Sequence, residues 1–274
     1  MLALLSSVLW GTADFVGGTV SRRLPAPLVV GLSQFAGLLA ISLVAATAGA
    51  LDAPTGYLPW AVGAGLAGLT GLVCFYAALA MGTMGIVSPI AAVGVAVPVV
   101  VGIAQGERPG SLQVAGIVIA IAGIVLASGP ELSGRAGAVP LLLAAVAAVG
   151  FGLALLFIAK GSESSTLMTL VTMRATSVAV MALALGVMAR RTLVRPTGGD
   201  YAVIAVVGLA DVAANLTFGL ASTRGLVSVV AVLGSLYPVA TALLARFVHS
   251  ERLAPLQVAG VSAALAGVAC IAAG

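Results

Sequence analysis

Charged side chains are scarce in this sequence of 274 residues. Asp, Glu, Lys and Arg together make up 7% of it, whereas hydrophobic residues make up 61% and the mean hydropathy is +1.24. A water-soluble domain could not cover its surface with so few polar side chains. The composition therefore excludes a soluble enzyme or binding module and predicts an integral membrane protein, with the lipid bilayer as a partner.

Histidine and cysteine are also scarce, which limits the chemistry that the chain can perform. His249 is the one histidine and the pattern H-E-x-x-H does not occur, so we expect neither a metal site nor a cofactor. Cys74 and Cys270 lie in apolar stretches and form no disulfide or zinc pattern, which favours a packing role. The net charge of +4 falls at predicted helix ends, which indicates control of topology and not nucleic-acid binding.

Long apolar stretches fill the sequence instead. One bilayer crossing needs about 20 apolar residues, so the chain can hold about ten transmembrane helices, and we predict an all-α membrane fold. The first stretch has no basic residue before it and is followed by Arg22 and Arg23, the reverse of a secretory signal, so we expect it to stay in the membrane. The predicted spans cover residues 2–20, 27–48, 58–81, 85–104, 110–129, 136–159, 167–189, 201–221, 225–248 and 254–273.

A segment after the fourth span occurs a second time near the end of the chain. Residues 106–116 and 250–260 share a Glu-Arg pair and the pentapeptide Leu-Gln-Val-Ala-Gly, 144 positions apart. Upstream the shift becomes 140, since residues 85–88 correspond to residues 225–228. The two shifts differ by about one helical turn, which a helix absorbs without rotating its faces. We infer that the protein is a duplicated half.

The duplication predicts how the halves are arranged. Residues 1–130 and 136–274 each hold about five spans, and an odd number makes the second half enter the membrane from the opposite side. The halves are therefore predicted to be inverted-topology repeats that together form one transport domain. Secondary transporters use this arrangement, with the substrate site near the bilayer midplane between the repeats. The repeats favour a carrier that exposes a central cavity to either side in turn.

Several short motifs, taken in order, resemble a known family. They are Trp10-Gly11, Tyr76-Ala77-Ala78-Leu79, Gly85 to Pro89, Pro98 with Gly106-Glu107-Arg108, Arg174, and Pro238 with Glu251-Arg252. Together with the duplication, they resemble the EamA-type branch of the drug/metabolite transporter superfamily over nearly the whole chain. The resemblance implies a ten-helix exporter of amino acids or other small metabolites in the cell's inner or plasma membrane. The shift of 140 positions relates residue 34 to Arg174, so an arginine would be expected at position 34. The sequence has Gln34 there and departs from the pattern.

Three charged side chains lie well inside the predicted spans, away from their ends: Asp14, Arg174 and Asp211. Such groups cost about 2.5–3.5 kcal/mol each on insertion scales, so they normally face the bundle interior or water. Because two acids accompany one base, one acid must be hydrated, bind a cation or be protonated. At ~1.5 Å per residue, Arg174 differs in depth by ~4 Å from Asp211 and by ~7 Å from Asp14. We therefore predict a structural charge pair of Arg174 with Asp211, and a proton-coupling role for Asp14. The alternative is that all three only fix helix positions.

Aromatic and polar residues within the spans complete the predicted substrate cavity. Trp10, Tyr76 and Tyr237 lie away from the interface belts, so they either stack on a substrate or fill a core of small residues. The predicted cavity residues are Trp10, Asp14, Tyr76, Ser88, Asn215 and Tyr237. Prolines free backbone carbonyls and bend helices, and we predict such bends at Pro89, Pro98 and Pro238.

The predicted function is secondary transport, as an exporter of small amphipathic metabolites such as amino acids, and not an enzymatic activity. The alternatives are an intramembrane enzyme resembling a serine protease, and a membrane channel or scaffold that transports nothing. A Ser–His dyad would need His249 at catalytic depth, but His249 lies at a helix end. We further expect a monomer whose partners, besides lipid, are a small-molecule substrate and protons.

Two arguments disagree about orientation. Loops after odd spans carry more basic residues than those on the other side, which places both termini outside by the positive-inside bias. The family resemblance implies cytoplasmic termini instead. The basic residues counted are Arg22, Arg23, Arg135, Arg190, Arg191, Arg195, Arg246 and Arg252, against Arg108, Lys160 and Arg224.

Overall fold

Helices form every regular element in the part of the chain that the structure describes. That structure is a computed structural model, and it describes residues 1–81, 87, 90–127, 138–188, 196–240, 244 and 255–273. The first half contributes α1 (Leu2–Ser21), α2 (Ala26–Thr47), α3 (Leu58–Met81), α4 (Ile90–Ala104) and α5 (Ser111–Ala127). The second half contributes α6 and α7, which share Ala138–Met188, then α8 (Gly198–Ser222), α9 (Val227–Ala240) and α10 (Pro255–Ala273).

Within the described ranges, five stretches are long and apolar enough to cross a membrane. They are Leu2–Ser21, Ala26–Thr47, Thr55–Met81, Ala138–Ala184 and Gly198–Ser222. The outer surface is apolar too, since large side chains such as Leu43 and Leu183 are 66% and 73% exposed. A helix satisfies its own backbone hydrogen bonds, so apolar helices of this kind can lie in lipid.

The structure corrects the predicted boundary between the sixth and seventh spans. Residues 160–166 lie between the predicted sixth and seventh spans, but Lys160 to Glu163 are helical and carry an i,i+3 ion pair of 3.1 Å. The break falls at Ser165, whose extended backbone (φ −160°, ψ 112°) separates α6 from α7. The Ser165 hydroxyl accepts a hydrogen bond of 3.3 Å from the Met168 amide and so caps α7. Since one capping residue suffices to begin a helix, no longer loop is needed.

The chain reverses direction at this break. Along α3, a Cβ added at Gly63 would meet the Phe157 ring of α6, and one added at Gly65 would meet the Met173 carbonyl of α7. Phe157 precedes Ser165 in the sequence by the same number of residues as Met173 follows it. Helices α6 and α7 therefore run side by side as a hairpin that packs along α3.

α9 is also interrupted, within the predicted ninth span. The helix ends at Gly234, Ser235 and Leu236 form a turn, and helical structure resumes at Tyr237. Pro238 lies in the first turn of the resumed helix, where a missing backbone N–H costs nothing. The turn therefore brings non-helical backbone into the middle of the bundle.

Helices of the two halves pack directly against each other. α5 lies along α10, and a Cβ added at Gly123 would overlap the Ala264 backbone, so the helices meet at small residues. α1 packs on α8, and α2 packs on both α7 and α8. The space between the halves is thus bounded by helices of both.

A carboxylate of the first half caps a helix of the second. Glu107, which follows α4, accepts hydrogen bonds from the backbone amides of Val227 at 2.6 Å and Ser228 at 3.0 Å. A negative charge at this position satisfies the free N–H groups of α9 and complements its dipole. Gly106 reaches a φ of 99°, which favours glycine, and so turns the chain toward this contact.

A second polar contact joins the start of α8 to the loop after α1. Asp200 and Thr197 form a capping box, which begins α8 at Gly198, three residues before the predicted 201. The other oxygen of Asp200 accepts from Arg23 at 2.7 Å. These contacts fix the start of α8, the helix that carries Asp211, relative to the end of α1.

Candidate functional site

A cavity of about 90 Å³ lies between helices of both halves. At roughly 10–15 Å³ per water molecule, this space holds several waters or part of a small solute. Its apolar wall includes Leu69, Leu72, Phe151, Leu155, Ile158 and Met173. Its polar lining consists of Trp10, Asp14, Gln34, Arg174, Ser177, Asp211, Asn215, Ser235 and Tyr237.

Arg174 of α7 is the most deeply buried charge of this lining. Its side chain is 2% exposed, and its Nη1 atom lies 2.9 Å from Oδ2 of Asp211. Nη1 also donates to Oε1 of Gln34 on α2. Arg174 and Asp211 thus form an ion pair across α7 and α8; that its role is structural stays a prediction.

Asp211 accepts hydrogen bonds on both carboxylate oxygens. Oδ1 accepts from Nε1 of Trp10 at 3.1 Å and from Nδ2 of Asn215 at 3.0 Å. Oδ2 accepts from Nε2 of Gln34 at 3.3 Å and forms the ion pair with Nη1 of Arg174 at 2.9 Å. Four helices, α1, α2, α7 and α8, therefore supply one network around this carboxylate. Hydrogen bonds to a charged group are each worth about 1.5–3 kcal/mol, so the network fixes Asp211 in place.

Close backbone contact allows Gln34 to reach this network. A Cβ added at Gly208 would overlap the Ser33 carbonyl, and one added at Gly37 would lie 3.2 Å from the Gly208 carbonyl oxygen. The two glycines therefore let α2 and α8 approach more closely than larger residues would allow. That approach brings the side chain of Gln34 beside both Asp211 and Arg174.

Asp14 of α1 lines the same cavity but lies in different surroundings. It is half-buried, and among the described residues no donor forms a hydrogen bond with it. Asp14 follows Trp10 by one helical turn, so the two side chains share a face of α1. The cavity thus holds one carboxylate in a full network and a second that faces the open space.

The aromatic residues predicted for the cavity separate into two groups. Trp10 and Tyr237 line it, and the Trp10 ring packs against Phe218 at a centroid distance of 5.6 Å. Tyr76 lies outside this lining, because its ring is buried against Gly17 and its hydroxyl donates to the Ala13 carbonyl at 3.5 Å. For Tyr76 the geometry favours the alternative of a ring that fills a core of small residues.

The remaining predicted site residues have different positions. Asn215 lines the cavity beside Asp211, whereas Ser88 and Pro89 lie outside the described residues. A 3-10 stretch at Val93–Val95 interrupts α4, and the α-helical part follows it directly. Pro98 is the third residue of that part. Pro238 follows the turn that interrupts α9. Their roles as functional bends stay predictions.

Gln34 was not predicted as a site residue, although the sequence contained the signal for it. The internal shift of 140 positions relates Gln34 to Arg174, and these two side chains touch. Within the described ranges, no group of three His, Cys, Asp or Glu residues could hold a metal ion.

The apolar helices are those of a multi-pass membrane protein, and a cavity with several polar side chains in a largely apolar wall lies among them. The sequence profile of the EamA-like transporter family matches residues 1–129 and 138–273. The chain therefore belongs to the EamA-like transporter family, within the drug/metabolite transporter superfamily, and is a membrane transporter of that type. The family predicted from the short motifs is confirmed.

A solved structure shares the fold. It is a crystal structure of a protein 21% identical to this one, and the match covers 98% of this chain and 94% of that chain with a TM-score of 0.79. At this level of identity, the similarity shows the fold alone. Among curated proteins, none matches this sequence.

Proposed function

We propose that the protein is a secondary transporter that exports small amphipathic metabolites such as amino acids. The observation that carries the proposal is the cavity between the two halves, with its apolar wall and its cluster of Arg174, Asp211 and Asp14. A solute with an apolar body and a charged end suits such a lining. We place the transporter in the inner or plasma membrane, as a monomer.

The transport cycle that we propose is alternating access between two inverted five-helix repeats, residues 1–130 and 136–274. The family match in two segments supports this division. So does the contact of Gln34 with its counterpart Arg174, and so does the packing of α5 on α10 and of α4 on α9. Two similar halves can rock about a shared site and open it to either side.

The interrupted helix α9 is the proposed moving part on the second half. Its turn at Ser235 lies in the cavity lining, and Pro238 prevents a continuous helix from forming across the turn. Non-helical backbone inside a membrane is tolerated where it lines a cavity. A bend here changes the cavity without breaking the network around Asp211. We propose the same role for Pro98 in α4.

Asp14 is the proposed site of proton coupling. It lies in the cavity without a donor among the described side chains, so its charge is not held by the protein as that of Asp211 is. A carboxylate in these surroundings must bind a cation, take up water or be protonated. The cycle would then exchange a proton at Asp14 for movement of the solute.

Reconstituted vesicles test this function. Purified protein should give counterflow of at least one solute from a broad metabolite panel, while protein-free vesicles give none. If no solute of the panel exchanges and none raises the melting temperature, the transporter proposal for this cavity fails. Cleavage of a membrane peptide by the same vesicles would instead favour the enzyme alternative.

A further inference from the structure

The carboxylate of Glu107 caps a helix that has no side-chain cap of its own. Helix α9 begins after Leu226, whose side chain offers no hydrogen-bond acceptor. Its first two amides, of Val227 and Ser228, donate to the two oxygens of Glu107 at 2.6 and 3.0 Å. Free amides at a helix start need an acceptor, and a negative charge there also complements the helix dipole. A helix of the second half thus takes its cap from the first half.

The loop after α4 is shaped to present this carboxylate. The Glu107 amide donates to the Gly102 carbonyl at 3.0 Å, which folds the chain back over the end of α4. A Cβ added at Gly102 would lie 2.6 Å from Oε2 of Glu107, so glycine leaves the room that the carboxylate occupies. Gly106, directly before Glu107, has the left-handed backbone that favours glycine. Two glycines therefore place a charged side chain against the other half.

Glu107 joins two helices that pack on different partners. A Cβ added at Gly94 in α4 would overlap the Ala148 carbonyl of α6, whereas one added at Gly234 in α9 would lie 3.4 Å from the Trp10 ring of α1. α4 and α9 belong to different halves, and so do the helices on which they pack. Whether each moves with its own half or with its packing partner, a rocking movement separates α4 from α9. The Glu107 contact lies across that line of separation.

The capped segment of α9 leads from the membrane face to the cavity. Val227–Gly234 is a helix of 8 residues, and the last part of α4 packs along it. At ~1.5 Å per residue it spans about 12 Å. The residue that follows it, Ser235, lines the cavity. Packing of α4 on this segment therefore closes the path between the cavity and the face where Glu107 lies.

The position of Glu107 near water allows this contact to break. Its side chain is half-buried, and Thr223 and Arg224, which precede α9, are exposed. Water can replace each partner when the two separate, so the net cost of breaking such hydrogen bonds is modest. The network around Asp211 differs, because Arg174 is 2% exposed and has no such access. The contact at Glu107 thus suits a joint that opens and closes repeatedly.

We propose that Glu107 is a latch, which holds the cavity closed toward its own face while it caps α9 and which must release Val227 and Ser228 before that face opens. The inference rests on the proposed alternating-access cycle, because it names the contact that controls one of the two openings. Gly102 is a positioning residue of the latch, since its lack of a side chain leaves room for the carboxylate.

Cysteine labelling measures this opening without any transported solute. In a background of Cys74→Ala and Cys270→Ala, the variant Leu72→Cys places one thiol in the cavity lining, on α3, which carries no part of the latch. A membrane-impermeant maleimide is added to right-side-out and to inverted membrane vesicles. A separate variant, Thr223→Cys in the exposed turn before α9, identifies the preparation in which the Glu107 face is outside. The labelling rate from that face reports how often it opens.

Two variants release the latch in different ways. Glu107→Gln keeps the shape of the side chain but removes the charge and one of the two accepting oxygens. Gly102→Ala keeps the charge but displaces the carboxylate, because its Cβ would lie 2.6 Å from Oε2. Each should raise the labelling rate from the Glu107 face by about fivefold or more, since a lost charge-assisted contact enlarges the minor open population. The rate from the opposite face should not rise.

Glu163→Gln is the matched control. Glu163 lies at the end of α6, which is an even-numbered helix like those before Glu107 and Thr223, so all three share one face. Its carboxylate pairs with Lys160 of its own helix at 3.1 Å and joins no two helices. The loss of such an exposed pair has little effect, so the labelling rate should stay within about twofold of the parent.

The outcomes separate the latch from a cap that only stabilises the fold. Unchanged rates in both Glu107→Gln and Gly102→Ala, or an equal rise from both faces, overturn the latch. Should one variant fail to fold, the other decides. Loss of folding in both also overturns the latch, because a contact that the fold requires cannot open in each cycle. If no solute gives counterflow, labelling still decides the latch; counterflow with unchanged labelling keeps the transporter without it.

Discussion

Asp211 and Asp14 line one cavity from α8 and α1, and their surroundings differ in a way that separates two uses of a buried acid. Asp211 accepts hydrogen bonds from Trp10, Gln34 and Asn215 and forms an ion pair with Arg174. Asp14 accepts none from the described side chains. A carboxylate that is paired and fully hydrogen-bonded can stay charged in a membrane, because its partners replace water. One without donors depends on what enters the cavity. The comparison supports the proposal that Asp211 has a structural role and that Asp14 is the site of proton exchange.

Removing the charge of Asp211 should have the largest effect on stability. Asp211→Asn leaves the Arg174 cation buried at 2% exposure without its counter-ion. Loss of one partner of a buried pair costs about 3–5 kcal/mol. We expect the melting temperature of the purified variant in detergent to fall well below that of wild type.

A double variant sharpens this prediction. Adding Arg174→Gln to Asp211→Asn removes the stranded cation, so the double variant should recover part of the lost melting temperature. A double variant that melts no higher than Asp211→Asn alone would show that the two residues are not coupled.

Removing one donor from Asp211 should cost less. Trp10→Phe keeps an aromatic ring beside Phe218 but deletes the Nε1 hydrogen bond of 3.1 Å, and Asp211 keeps two other hydrogen bonds and its ion pair. We expect a loss of about 1.5–3 kcal/mol, measured by chemical or thermal unfolding. Trp60→Phe is the matched control, since Trp60 packs against Phe157 at 5.9 Å without a carboxylate partner. Equal losses in the two variants would assign the effect to ring size and not to Asp211.

Removing the charge of Asp14 should have the smallest effect on stability. Asp14→Asn breaks no hydrogen bond that the described residues make, so we expect a change within about 1 kcal/mol of wild type. The measurement is the same melting experiment, run beside Asp211→Asn. A loss as large as that of Asp211→Asn would mean that Asp14 also has a structural partner, and the comparison would break down.

The sequence predicts much of this arrangement because charge is so rare in it. Three ionisable groups inside spans are few enough for depth alone to pair Arg174 with Asp211, and the structure has these residues 2.9 Å apart. The all-helical fold follows from composition in the same way. The repeat and the order of the short motifs predict the family, which the match over both halves confirms.

Other features depend on single residues whose effect the sequence does not distinguish. Ser165 ends α6, although the polar run at Lys160 to Glu163 carries the stronger loop signal, because an ion pair of 3.1 Å stabilises that run as helix. A turn at Ser235 and Leu236 interrupts α9 just before Pro238, whereas the predicted bend at Pro238 does not distinguish a kink from an interruption. The contact of Gln34 with Arg174 depends on how closely α2 approaches α8 and α7, which side-chain types alone do not give.

The most direct test of the division between the two carboxylates is uptake driven by a proton gradient in reconstituted vesicles. The assay compares wild type with Asp14→Asn, which mimics a protonated carboxyl. Wild type should accumulate a counterflow substrate when a pH gradient is imposed. Asp14→Asn should keep counterflow, because the cavity and the Asp211 network are intact, but should lose accumulation and show a flat dependence on pH. Accumulation by Asp14→Asn equal to that of wild type, with unchanged pH dependence, would contradict the account.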